Sequence, residues 1–210
     1  MKNNTIRVSL LLIGVLSFFF LAYLVAFKPE MGFDGAVSHY IQQFRSPELT
    51  ALMKLITYTA NWQAITLLCM LFLLIPGTRA SAGYLLAASS LLTTGCNNLL
   101  KLLFHRIRPE DVLPLVSQNS FSFPSGHAMS SLVFYGLLIY LLLRRIKNKP
   151  ASCCLTGLLC VLIFFIGLSR VYLGVHYPTD VLAGWSMGLC LLILFEYAAD
   201  GFSRKHIRNQ

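Results

Sequence analysis

A chain of 210 residues with 56% apolar and only 12% charged side chains carries about half the charge of a soluble domain, which excludes that class. The net charge of +9 does not make it a nucleic-acid binder, because the basic residues sit in short segments between apolar runs and form no stripe. The six cysteines (Cys69, Cys96, Cys153, Cys154, Cys160, Cys190) fall within or at the ends of apolar runs, without metal-ligand or disulfide-framework spacing, and read as small apolar fillers.

The first apolar run, Val8 to Phe27, follows Lys2 and Arg7. It is longer than a signal-peptide core and no small-residue cleavage site follows, so it is expected as an uncleaved membrane span. Residues 28–60 are more polar. Within them Val37, Tyr40, Ile41 and Phe44 recur at helical spacing beside His39, Gln42, Gln43 and Arg45, the pattern of a short amphipathic helix at the membrane interface or of a plain connecting helix. The second span runs from Trp62, or from near Leu55, to Ile75, where Pro76-Gly77 breaks it.

The third span, Ala82 to Phe104, turns polar in its second half at Thr93, Thr94, Asn97, Asn98 and Lys101. Polar groups inside a span are costly and face a bundle interior or cavity, although a lysine near a span end can equally snorkel to the interface. The fourth span runs from Pro-Ser-Gly-His (124–127) to Leu143, the fifth from Cys153 to Leu168, and the sixth from Pro178 to Tyr197. The expectation is an all-α fold: one membrane bundle of six transmembrane helices spanning residues 1–210, with a short interfacial helix between the first two. With six spans, ten of the seventeen basic residues lie on the side of the two termini. That bias makes this side cytoplasmic and the other side outward.

Three stretches fall at the outward ends of spans three to six. In KLLFHRIRP, Lys101 and Arg108 are seven residues apart, and Pro109 places Arg108 just past the helix end. In FPSGH, the proline suits the first turn of a helix, whose free N–H groups bind anions. There Ser125 can donate its hydroxyl, Gly126 lets the backbone approach a ligand, and His127 stands beside it. In SRVYLGVHYPTD, His176 and Asp180 are spaced by one helical turn, so the carboxylate can hold one ring nitrogen and leave the other free. Taken alone, Asp180 reads better as a helix N-terminal carboxylate that complements the dipole. Together with Arg170, Lys101 and Arg108 supply three cations suited to a phosphate monoester or a diphosphate terminus.

The order Lys-x6-Arg-Pro, Pro-Ser-Gly-His, Ser-Arg-x5-His-x3-Asp resembles the type 2 phosphatidic acid phosphatase (PAP2) family of membrane lipid phosphatases. All three stretches lie within residues 101–180. The small size resembles bacterial members of the phosphatidylglycerophosphatase B and undecaprenyl-diphosphate phosphatase type. The resemblance implies that His176 attacks phosphorus and forms a phosphohistidine, and that Asp180 sets its tautomer. It implies that His127 protonates the leaving oxygen and then activates water. Lys101, Arg108, Ser125, Gly126 and Arg170 would hold the phosphoryl oxygens.

No metal and no cofactor are implied, and Glu110-Asp111, the only adjacent acidic pair, offers no magnesium site. The partners expected are a lipid phosphate from the bilayer and the membrane itself, with no nucleic acid and no obligate protein partner. Two other functions stay open: a phosphotransferase using the same site, and a non-enzymatic lipid-headgroup binding or transport protein. His39, His105 and His206 lie outside the motifs and receive no role.

Overall fold

The computed structural model describes residues 2–28, 32–110 and 113–208; side chains are described for 4–28, 32–80, 82–110 and 113–201 of these. Asp111, and the side chains of Lys2, Arg204, Lys205, His206 and Arg208, fall outside that set. The described residues form helices joined by turns and loops, without a strand. In chain order the elements are α1 (Lys2–Phe27), α2 (Gly32–Gln42), α3 (Pro47–Tyr58), α4 (Trp62–Leu74), a one-turn α5 (Pro76–Thr78) with a π-turn (Arg79–Gly83), α6 (Tyr84–Phe104), α7 (Gly126–Arg145), α8 (Lys149–Tyr172) and α9 (Pro178–Arg208).

Four of these, α1, α7, α8 and α9, are long and apolar enough to cross a membrane. The pair α3 and α4 passes the same test as one unit bent by 44°. The expected six-span count is therefore met only in part by length and composition. The polar half of α6 keeps that helix below the hydropathy of the others. The region 28–60 holds two helices rather than one. The amphipathic stripe falls on α2, while α3 is a separate element started by Ser46, whose side chain accepts from the Leu49 N–H at 3.2 Å, and by Pro47 at its first position. The last two helices are also longer than the apolar runs that predict them, so Arg170 lies inside the final turn of α8.

Helix α7 is the centre of the bundle, packed on α6, α8 and α9. Val133, Phe134 and Leu137 of α7 are buried with Leu86 of α6 and Ile166 of α8. Gly184 and Gly188 let α9 close on it: a Cβ at 184 would stand 2.6 Å from the Ser125 carbonyl oxygen, one at 188 only 3.1 Å from that of Met129. This small-xxx-small approach draws the start of α9 against the start of α7, which brings two of the three motifs together. Helix α1 lies outside α9, burying Phe18, Ala22 and Val25 against Phe123 and Ala183. Its other faces leave Leu16, Phe19 and Phe20 exposed, as expected of a surface solvated by hydrocarbon.

Candidate active site

Helix α6 ends at His105, which adopts a left-handed conformation (φ 47°) while its N–H bonds the Lys101 carbonyl at 3.1 Å. The chain then turns back on itself, with the Ser122 N–H donating to the Arg106 carbonyl at 2.8 Å. This return places Ser120 and Phe121 beside both cations of the first motif. Lys101 Nζ bonds the Phe121 carbonyl and lies 3.4 Å from Ser120 Oγ. The side chain is only 7% exposed, so it turns inward rather than snorkelling. Arg108, past the helix end as its proline requires, donates Nε to the Ser120 carbonyl at 2.7 Å and Nη1 to the Val175 carbonyl. The same Nη1 is 3.4 Å from His176 Nε2. Burial lowers the pKa of Arg108, which Asp180 partly offsets.

The second motif departs from expectation at its proline. Helix α7 begins at Gly126 with Ser125 as its cap, so Pro124 precedes the helix instead of sitting in its first turn. The Ser125 N–H is taken by the Asp180 carbonyl at 2.9 Å, which ties α7 to α9. Its hydroxyl caps nothing and is buried without a partner among the described residues. Gly126 is required by a close approach: a Cβ there would meet Asn97 Oδ1 of α6 at 2.9 Å. His127 Nε2 lies 2.6 Å from Asn61 Oδ1 at the bend between α3 and α4. With an amide oxygen as acceptor, that nitrogen carries the proton.

His176 and Asp180 meet, but not as neighbours on a helix face. His176 sits in the turn before α9, and Asp180 is the third residue of that helix. Asp180 Oδ2 accepts from the Tyr177 N–H at 2.9 Å, the reach-back of a capping box. The same oxygen accepts from Ser122 Oγ and is 3.4 Å from His176 Nδ1. Ser122 Oγ is itself 3.4 Å from that ring nitrogen. Nδ1 is thus turned to the carboxylate and Nε2 to Arg108. Burial, against the pull of Asp180 and with Arg108 and Arg170 nearby, holds the His176 pKa down to about 3, leaving a neutral imidazole.

Arg170 is 1% exposed. Its Nη1 donates to Thr57 Oγ1 at 2.9 Å, while Nε and Nη2 have no partner among the described residues. One cavity of about 300 Å³ is lined by Lys101, Arg108, Gly126, His127 and His176 together. Arg170, Ser125 and Asp180, expected at the same site, do not line it. The cavity continues along α6 past Asn98, Thr94 and Thr93, part of the polar face noted in the sequence, to Ser90; Thr93 Oγ1 is buried there without a partner among the described residues.

Sequence reasoning missed Thr57, Asn61 and Ser122, which hold Arg170, His127 and Asp180. It also missed Arg106 and Asp34. Arg106 Nη1 donates to Asp180 Oδ1 at 2.7 Å, and Nη2 to Asp34 Oδ2 at 2.8 Å. No local spacing announces these contacts, because Asp34 is 146 residues before Asp180.

The PAP2 superfamily model matches residues 80–202. Phosphatidylglycerophosphatase B of Bacillus subtilis is 43% identical over 113 residues, 52% of each chain, so the chain spans about half the length of that curated relative. The undecaprenyl-diphosphatase of Sulfolobus acidocaldarius is 28% identical over 196 residues, covering 90% of this chain and 88% of the relative. A crystal structure of a transmembrane PAP2-type phosphatidylglycerolphosphate phosphatase from Bacillus subtilis superposes with a TM-score of 0.80 at 31% identity, over 95% of this chain and 96% of that one. Motif order, cavity and whole-chain similarity agree, and the chain belongs to the PAP2 superfamily.

Proposed function

We propose that this protein is a metal-independent membrane phosphatase that removes the terminal phosphate of undecaprenyl diphosphate, phosphatidylglycerophosphate or both. The observation that carries the reading is the sharing of one cavity by two histidines and two cations, with a carboxylate behind one of the histidines. His176 Nε2 attacks phosphorus, the bond from phosphorus to the leaving oxygen breaks, and His127 gives that oxygen its proton. Water then attacks the phosphohistidine, His127 takes the water's proton, and the P–N bond breaks to release phosphate. Asp180 holds Nδ1–H, which keeps Nε2 nucleophilic and stabilises the charge on the phosphorylated ring. Lys101 and Arg108 lie at the cavity wall and, with Arg170, supply the positive charge that a dianion needs.

The polar face of α6 suits the headgroup between that phosphate and the lipid tail. We place all six segments across the cytoplasmic membrane, α6 and the bent α3–α4 unit included, with both termini inside and the cavity opening outward. Phosphate release from the two lipids, by protein purified in detergent with EDTA present, tests the proposal. Activity is expected with at least one lipid, and His176→Ala is expected to lower it by at least about 10³-fold. A wild-type protein inert on every lipid phosphate, or a His176→Ala variant of full activity, refutes it.

A further inference from the structure

Asp180 is not held by the nucleophilic turn alone. Its Oδ1 accepts from Arg106 Nη1 at 2.7 Å, and the same guanidinium reaches Asp34 Oδ2 through Nη2 at 2.8 Å. Thr179 closes the ring. Its hydroxyl accepts from Arg106 Nη1 at 2.8 Å and donates to Asp34 Oδ2 at 2.7 Å, while its N–H donates to Asp34 Oδ1 at 2.9 Å. Below the guanidinium lies the ring of Tyr177, 4.1 Å from Cζ. Arg106, Asp34, Thr179 and Asp180 are 7%, 2%, 2% and 0% exposed, so these charges act on one another with little screening.

Arg106 is basic, near the site and part of the first motif, yet the geometry keeps it from serving as a phosphate ligand. Both its terminal nitrogens point at carboxylates, and it does not line the cavity shared by the two histidines. Its charge instead decides how much of Asp180's charge His176 feels. A lone arginine would neutralise the carboxylate it grips. Shared between two carboxylates, the arginine leaves the group of three with one net negative charge, and the only ring nitrogen Asp180 faces is His176 Nδ1. Asp34 is also the only fully buried residue of α2, so its charge joins Ile41, packed on the apolar clusters of Val171 and Val175, in fixing that helix to the site.

We infer that Arg106 and Asp34 are positioning residues for the nucleophile: Arg106 fixes Asp180 through Oδ1, and Asp34 cancels the arginine so that Asp180 keeps its charge for His176. The inference rests on the phosphatase reading above. It is tested by steady-state phosphate release from a lipid phosphate, per folded molecule by size-exclusion chromatography, for Asp34→Asn and Thr179→Val, each made alone and with Asp180→Asn. Asp34→Asn alone is expected to lower kcat by about 10²-fold while KM changes by less than about 3-fold. Thr179→Val, which leaves every charge in place, is expected to lower kcat by about 5-fold, and it carries the test if Asp34→Asn does not fold.

In the Asp180→Asn background either change is expected to cost less than about 2-fold, because the residue they act through is gone. Equal costs in both backgrounds, or a loss confined to KM or to the folded fraction, overturn the inference. A wild-type protein without phosphatase activity fails the earlier reading instead, and the two failures are told apart in one set of assays.

Discussion

The two ends of the bundle handle charge in opposite ways, one half-buried and paired, the other buried and open. At the end formed by the start of α1 and the ends of α7 and α9, Arg7 pairs with Asp200 at 2.6 Å and with Glu196 at 3.0 Å. Asp200 also takes the Tyr140 hydroxyl at 2.6 Å and the guanidinium of Arg144. Arg7 lies over the rings of Tyr140 and Tyr197. Two arginines meet two carboxylates, and the group is closed. At the cavity end Lys101, Arg108 and Arg170 make no ion pair among the described residues, and two nitrogens of Arg170 make no hydrogen bond. A buried cation without an anion is destabilising, so this arrangement suits the negatively charged ligand proposed above. The closed end holds helices together, and the open one is set up to bind.

The largest contrast comes from removing one arginine at each end. Arg170→Met is expected to lower kcat/KM by about 10²- to 10³-fold, the scale of losing one transition-state donor. Its melting temperature should stay level or rise, since an uncompensated charge leaves the interior. Arg7→Met should do the reverse, melting earlier while activity per folded molecule stays within about 2-fold. Thermal melts in detergent beside phosphate-release assays decide it. Equal losses of stability at both ends would break the comparison.

The sequence brings the residues of the open end into view because they come in short spacings: Lys101 to Arg108, Ser125 to His127, His176 to Asp180. Helices α1, α7, α8 and α9 are legible because each is one apolar run of spanning length. The bend between α3 and α4 is half legible: Trp62 is one of the two starts the sequence offers for the second span and Asn61 is a residue that favours a helix cap, but no spacing gives the 44° turn. Two local geometries are misread for the same reason. A proline before a helix cap and a proline at its first position look alike, and a four-residue spacing can be one helical turn or a turn followed by a cap. The Arg106–Asp34 contact is invisible because a pairing over 72 residues leaves no periodic trace. The closed end is equally unreadable, joining residues 193 apart.

A smaller perturbation tests whether the open end depends on backbone spacing as well as charge. Gly126→Ala puts a methyl group 2.9 Å from Asn97 Oδ1, a contact that real Cβ atoms do not make. Asn97 is tied to the Pro124 carbonyl at 3.2 Å, so it cannot simply swing away. Either Asn97 gives up that bond or the start of α7 moves off α6, carrying Ser125 and His127. A loss in kcat of about 10-fold with the melting temperature nearly unchanged is expected. Unchanged kinetics would mean that the cavity tolerates the shift.

The smallest effect concerns pH and separates binding readiness from stability. An unfolded histidine titrates near pH 6.5, whereas burial keeps His176 at about 3 in the folded chain. The folded-state pKa is depressed, so the unfolded chain takes up the proton first. The stability that His176 lends is then fully present above about pH 6.5 and is lost as the pH falls from there toward 3. His176→Gln removes that titration. Melting temperatures measured between pH 7.5 and 5 should therefore fall less steeply for the variant than for the wild type, by about a few degrees. The same slope in both proteins would show that the imidazole is not kept neutral by burial. The open end would then hold a fourth positive charge, which Asp180 would have to offset against Lys101, Arg108 and Arg170.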